Sequence, residues 1–279
     1  MRVKKRWLLT LFAPGVVFLV LCCAWPVLRI VLQTIYDDTG AVSFAGYASL
    51  FGKSFFRNSL LRTLRLSAIT TLVCAVVGIP VSFYISRLAE KRKSLAISLA
   101  TFPLLTSAIV RSICWIVLLG KKGVINNLLV GIGLIDKPLS ILYTETSMLI
   151  GYIQLFMPLM LLSLVGVMES IDDELLQAAQ TLGCPPILAF AKVVIPLSVS
   201  GLITGGMLVF TGTMTAYATP NLLGGTKTKV LSTLLDQYAN VNSDWVSASM
   251  VAAVMIFFTV LVNVLFTQIA NRLNRRQNG

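Results

Sequence analysis

Histidine is absent from the 279-residue chain, which excludes imidazole-based catalysis and histidine metal sites. Charge is scarce as well: 12% of residues are charged, against about 25% in ordinary globular domains, while 56% are hydrophobic. Mean hydropathy is +0.85. A soluble chain of this length could not hide so much apolar surface, so the sequence reads as an integral membrane protein. Acidic residues are the rarer charge, 11 against 23 lysines and arginines, and none lies inside an apolar run. A secondary carrier needs paired acids or histidine in its spans for ion coupling, and their lack counts against that class. The net charge of +12 sits in clusters beside apolar runs rather than along one face, which marks topology and not a nucleic-acid partner. Of five cysteines, Cys22, Cys23, Cys74 and Cys114 lie within apolar runs and Cys184 outside them, and none has metal-ligand spacing. A phosphate-binding Gly-rich loop ending in Lys-Ser/Thr is missing too, Gly224-Gly225-Thr226-Lys227 being too short for one. No enzymatic constellation of Ser/His, paired Asp or metal ligands is present. The chain is therefore expected to be non-catalytic and to hold no cofactor.

Six apolar runs come close to the ~20 residues needed to cross a bilayer: 8–28, 66–88, 95–119, 148–167, 197–216 and 246–269. In lipid each must satisfy its own backbone hydrogen bonds, so the fold class is all-α with six transmembrane helices. Pro14, Pro80, Pro103 and Pro158 predict kinks within them. The first run lacks a small-residue cleavage site, which favours an uncleaved span over a signal peptide. Basic clusters at Arg2 to Arg6, at Arg87 with Lys91-Arg92-Lys93, and at Arg272, Arg275 and Arg276 place both ends in the cytoplasm. Lys53, Arg57, Arg62 and Arg65 in the first outer loop run against that assignment, and parity with the three clusters decides.

One polar-led insert on the cytoplasmic side, residues 169–196, is not built like a loop. Ser170 and Asp172 are N-cap types, and Asp172, Asp173 and Glu174 load the first turn with the charge that the helix dipole favours. Leu175, Leu176, Ala178, Ala179 and Leu182 follow at helical spacing, and Gly183 stands where a C′ glycine ends a helix. Pro185-Pro186 opens a second helix, carried by Ile187, Leu188, Phe190 and Val193 as far as Pro196. Two short helices joined by a tight turn between spans form a docking element, or else an ordinary amphipathic hairpin.

The spacing Gln177-Ala178-Ala179, Gly183, Val193, Ile195-Pro196 resembles the Glu-Ala-Ala loop of bacterial ABC-importer permeases, with every interval kept. Gln stands for Glu, Val for Ile and Ile for Leu. The resemblance implies that this loop couples the chain to an ATP-hydrolysing subunit through Asp173, Glu174, Gln177, Ala178, Ala179, Gly183, Phe190 and Pro196. It runs over about residues 100–257, and within the wider core of about 60–270 two further phrases resemble the polyamine (spermidine/putrescine) branch: residues 103–127 around Arg111, and Ala216-Tyr217-Ala218-Thr219-Pro220-Asn221-Leu222-Leu223-Gly224-Gly225. The implied fold is that of a type I importer permease, one domain over residues 1–279 in the bacterial inner membrane. The implied partners are two ATPase subunits carrying ATP and magnesium, a second permease of a different sequence, and a periplasmic solute-binding protein.

Arg111 lies well inside an apolar run, where charge costs on the order of 2.5 kcal/mol, so it faces the interior or a wet cavity, or lies near the outer boundary. Arg111, Tyr217 and Asn221 are the candidates for lining the translocation pathway, Tyr217 being equally suited to a membrane interface. Polyamine permeases commonly hold a carboxylate in the segment matching 216–221, whereas Ala216 and Asn221 are neutral. Polyamine cations therefore compete with anionic, zwitterionic or neutral solutes such as opines and aminophosphonates.

Overall fold

In a computed structural model of the chain, residues 5–36 and 43–277 are described, the side chains of 5–11, 23 and 273–277 excepted. Arg2 and Lys4 of the first basic cluster lie outside the described residues, as do the side chains of Lys5, Arg6, Cys23, Arg275 and Arg276. The described residues form helices and loops without a β-strand: α1 (Lys5–Leu19), α2 (Trp25–Gln33), α3 (Ala45–Gly52), α4 (Ser54–Ser86), α5 (Glu90–Leu105), α6 (Ala108–Leu119), α7 (Val124–Gly131) and α8 (Glu145–Met168). They continue with α9 (Asp173–Thr181), α10 (Pro186–Ala189), α11 (Ile195–Leu197), α12 (Val199–Thr215), α13 (Ala218–Leu223), α14 (Leu231–Asp236) and α15 (Trp245–Gln277). Wide π turns at Val20–Ala24, Phe190–Val194 and Gln237–Val241 join neighbouring helices.

Two compact units emerge, Met1–Arg57 with Leu234–Ile256, and Asn58–Thr233 with Phe257–Gly279. In the first unit, α1 and α2 run almost without interruption, and apolar side chains such as Phe12, Phe18, Leu21, Trp25, Leu28 and Leu32 are exposed, as suits a surface made for lipid. Thr34 and Tyr47 share a 2.6 Å hydrogen bond that ties the end of α2 to α3. The Ser247 backbone N–H donates to Asp244 Oδ1 at 2.9 Å, capping α15. That bond and the Ser247 side chain hold the Asp244 carboxyl below its ordinary range.

The second unit is organised on α8. Met148, Tyr152, Phe156, Met160, Leu164 and Met168 recur every fourth residue and are buried along one stripe. Opposite them α12 presents glycines. A Cβ at Gly201 would lie 2.7 Å from the Ser163 carbonyl oxygen, one at Gly205 2.7 Å from Met160 Sδ, and one at Gly212 2.4 Å from Phe156 Cε1. Gly78 of α4 meets Met160 from another side, 2.9 Å from an added Cβ to Cγ. Large side chains seated on glycine backbone give the close approach by which membrane helices associate. Thr211 and Asn263 add a side-chain hydrogen bond between α12 and α15.

Four helical stretches are long and apolar enough to cross a membrane: Phe12–Gln33, Ser54–Ser86, Glu145–Met168 and Trp245–Arg272. The count reaches six if each of two bent pairs is one span. The run 95–119, read above as one continuous helix, is corrected here. It breaks between α5 and α6, with a bend of 95°. Thr106 and Ser107 are extended there, three residues beyond Pro103. The break strands carbonyls at the end of α5, and Arg111 answers one of them. Its guanidinium donates to the Pro103 carbonyl and, at 3.4 Å, to Thr106 Oγ1. The Thr106 hydroxyl donates to the same carbonyl at 2.9 Å, and a cation at a helix C-terminus is favoured by the dipole as well. The run 197–216 also starts at a bend, 67° at Ser198, which separates Pro186–Leu197 from α12. Pro14, Pro80 and Pro158 lie inside unbroken helices.

Two outcomes follow from these contacts. Arg111→Met should lower thermal stability by about 2 kcal/mol, the worth of a hydrogen bond from a charged donor, read as a shift in the melting midpoint of the purified protein. Gly201→Leu, which drives a side chain into backbone, should cost roughly 1–3 kcal/mol and reduce the monodisperse fraction on size exclusion, whereas Gly166→Leu, at a site with no neighbouring atom within 4 Å, should not.

Candidate coupling loop and pathway

The segment between α8 and α12 is fixed locally before it meets anything else. Asp172 is the N-cap of α9, its Oδ1 accepting from the Glu174 N–H at 3.2 Å. At the other end Gly183 donates to the Gln180 carbonyl at 2.9 Å and Cys184 to the Ala179 carbonyl at 3.1 Å, the paired bonds of a Schellman motif. Gly183 has φ +84°, yet no heavy atom lies within 4 Å of an added Cβ. Only backbone strain therefore demands glycine there. Pro186 opens α10 at its first position, as its fixed φ allows.

This rigid hairpin has two faces. Glu174, Gln177 and Ala178 are exposed on one side of α9, one helical turn apart. Leu182 and Ile187, on either side of the turn, are 88% and 84% exposed. Helical spacing placed these two residues with the apolar set, but the turn carries both outward. On the inner face Leu176 and Phe190 pack against the buried core, Ala179 is half-buried and Ala189 buried. The Phe190 ring meets Phe83 of α4 edge-on at 5.0 Å. Pro196 is exposed at the start of α11.

Asp173 belongs to neither face alone. Arg87 Nε lies 2.9 Å from its Oδ1, an ion pair in which the N–H points off the carboxylate, and Arg87 Nη2 donates to the Ile171 carbonyl at 2.8 Å. Lys93 of α5 reaches Glu169 at 3.4 Å and Glu90 at 3.3 Å. Charge counting marks Arg87 and Lys93 only as topology signals, and nothing in the linear sequence shows that they grip the loop.

Of the three pathway candidates, two are joined by a hydrogen bond and the third is engaged at the α5–α6 break. Tyr217 and Asn221 stand one turn apart at the start of α13, both exposed, with Asn221 Nδ2 donating to the Tyr217 hydroxyl at 3.1 Å. The Ser232 hydroxyl holds the preceding turn by donating to the Ala216 carbonyl at 2.7 Å. Arg111 is buried and turned back to the helix break. Another polar pair emerges instead: Trp115 Nε1 donates to Gln154 Oε1 at 2.9 Å, bordering an apolar cavity of about 450 Å³ with Leu99, Pro103, Met157 and Pro158. Gln154, a polar residue within an apolar run, was the available signal. Glu145, at the start of α8, is held by Arg62 at 2.8 Å and by Arg65, while Arg62 also donates to the Lys229 carbonyl at 2.9 Å. Among the described residues no group of three or more Cys, Asp or Glu is placed to hold a metal ion.

The alginate importers supply the fold comparison. A bacterial ABC transporter involved in the import of the acidic polysaccharide alginate has a chain that superposes with a TM-score of 0.78 at 19% identity, over 98% of this chain and 97% of that one. A second structure of a bacterial alginate ABC transporter, in complex with an alginate pentasaccharide-bound periplasmic protein, gives 0.78 at 18% identity. Among sequences, the spermidine/putrescine transport system permease protein PotB of Haemophilus influenzae is 29% identical, over 84% of this chain and 82% of its own length. PotB of Escherichia coli is 28% identical over 86% and 88%. The putative 2-aminoethylphosphonate transport system permease protein PhnU of Salmonella typhimurium is 25% identical over 90% and 88%. Residues 93–278 match the family described as binding-protein-dependent transport system inner membrane component, and the chain belongs to that family.

Proposed function

We propose that this inner-membrane permease imports a small organic solute of polyamine type, and that residues 169–196 are where a separate ATPase subunit grips it. The observation that carries the coupling role is the capped α9 hairpin, which presents Glu174, Gln177 and Ala178 beside two outward apolar side chains, Leu182 and Ile187. Apolar side chains this exposed on a rigid polar-led hairpin are suited to a protein partner. The assembly is read as two ATPase subunits carrying ATP and magnesium, a second permease of different sequence and a periplasmic binding protein. The chain holds no cofactor of its own. Each bent pair counts as one span, which makes six, with both ends in the cytoplasm as in a type I permease. Residues 1–279 serve as one permease domain.

The polyamine class rests on the PotB relatives. Against it stands the pairing of Glu145 with two arginines, which leaves that end of α8 unsuited to a free cation and favours a zwitterionic solute as the second reading. Tyr217 and Asn221 are read as pathway residues. Arg111 acts on the pathway through the shape of the α5–α6 break.

The complex should be isolated by a tag on this chain and reconstituted in proteoliposomes with the binding protein, ATP inside and radiolabelled putrescine, spermidine or 2-aminoethylphosphonate outside. An ATPase subunit should co-purify, and putrescine or spermidine should accumulate only with ATP. A preparation that accumulates solute with no ATPase present would remove the importer reading in favour of a carrier. Gly183→Leu forces a side chain into left-handed backbone at roughly 1–2 kcal/mol, so it should lower uptake about tenfold with membrane insertion intact; unchanged uptake refutes the coupling role. Leu182→Asp should weaken ATPase retention about tenfold or more, the scale of one buried leucine.

A further inference from the structure

One arginine makes several of the contacts that hold the hairpin to the membrane helices. Arg87 lies just beyond the end of α4 and makes three contacts at once: the ion pair with Asp173 at 2.9 Å, the hydrogen bond to the Ile171 carbonyl at 2.8 Å, and a stack over the Phe83 ring at 5.2 Å. Phe83 in turn meets Phe190 at 5.0 Å, so the entry to the hairpin and its helical return both close on the end of α4. Lys93 adds a tie from α5 to Glu169. The hairpin's outer face stays uncommitted while its inner face is pinned.

We infer that Arg87 is a positioning residue for transport: it carries displacement of α9 into α4, so that the hairpin and the membrane helix move as one piece. A hydrogen bond to backbone together with an ion pair defines a direction of pull as well as an attraction, and the guanidinium supplies both from one planar group. Lysine would keep the charge and its three donors but, without the planar fork, would not fix the directions to Ile171 and Asp173. Asp173 is accordingly an internal anchor in this scheme, and Glu174 is the acid left for the partner. The inference rests on the coupling role of residues 169–196, and it assigns the residue through which that role acts.

Two measurements separate this inference from the function it rests on. Hydrogen exchange on the full chain, purified without ATPase, reads the clasp alone: Arg87→Ala should speed exchange of the α9 amides about tenfold, and unchanged exchange overturns the inference whatever the cargo. In the reconstituted complex, Arg87→Ala should lower solute taken up per ATP hydrolysed about tenfold while ATPase still co-purifies, the usual scale of coupling between sites. Arg87→Lys should fall between. Arg87→Asp combined with Asp173→Arg should recover more than either single change, as an ion pair requires and general destabilisation does not. A ratio within twofold of wild type in Arg87→Ala, or a double variant no better than the singles, overturns it. Failure of the wild-type complex to couple at all would instead count against the importer reading.

Discussion

Close approach between α8 and α12 is the constraint from which the second unit follows. In a bilayer, burying apolar surface gains little, because lipid tails are as apolar as leucine, so helices associate through packing geometry and a few polar contacts. Met160 and Phe156 of the α8 stripe are buried where the opposing surface is nearly bare backbone, at Gly205 and Gly212, and Gly201 admits the neighbouring Ser163 and Val167. Met160, against Gly205 and Gly78, and Met148, against Gly224, suit such seats because unbranched thioethers adapt to an irregular glycine surface. The hairpin 169–196 joins these two helices directly, so displacement of either end of the hairpin bears on the most tightly packed pair in the unit.

Many hydroxyls in the helical stretches bond back to a carbonyl of their own helix, but a few polar groups mend a defect in the helix pattern. Arg111 closes the carbonyl freed at the α5–α6 break, and Ser198 donates to Val194 where the chain bends into α12. Ser147 donates to both the Thr144 and Leu223 carbonyls at the start of α8, where the chain passes close to the end of α13. Such repairs allow a broken helix to persist in a medium with no water to take up loose hydrogen bonds. Arg111, which its cost placed facing the interior or a wet cavity or else near the outer boundary, is buried and hydrogen-bonded at a break in the backbone.

Much of this was legible in the residues and some was not. Hydropathy located every long helix, because the bilayer imposes a length that sequence must meet, and α9 could be bounded at both ends from Asp172 and Gly183 since caps act within a few residues. The break at Thr106–Ser107 was not legible: Pro103 is tolerated in membrane helices, and the extended pair lies beyond it, held by a side chain that only the fold brings back. The outward turn of Leu182 and Ile187 escaped for a related reason, since helical spacing shows periodicity but not which side of a tight turn meets the core. Arg87 looked like one more positive charge near a membrane because its partners are 84 and 86 residues away.

Electrostatics of the loop bear on how a partner can recognise it. Three acids begin α9, but Asp172 is bound to backbone and Asp173 to Arg87, and at the position where the resemblance calls for glutamate Gln177 carries no charge. Glu174 is the acid of that turn left to the outer face. An exposed ion pair is worth little in any case, with a median near 0–1 kcal/mol, whereas each apolar side chain buried at an interface contributes about 1.5–3 kcal/mol. Two protruding apolar groups and a shallow alanine surface therefore outweigh the missing carboxylate. With glutamine at 177, Leu182, Ile187 and the alanines are still there for a partner to bury, so on the proposed coupling role recognition of this hairpin would turn on its shape more than on its charge.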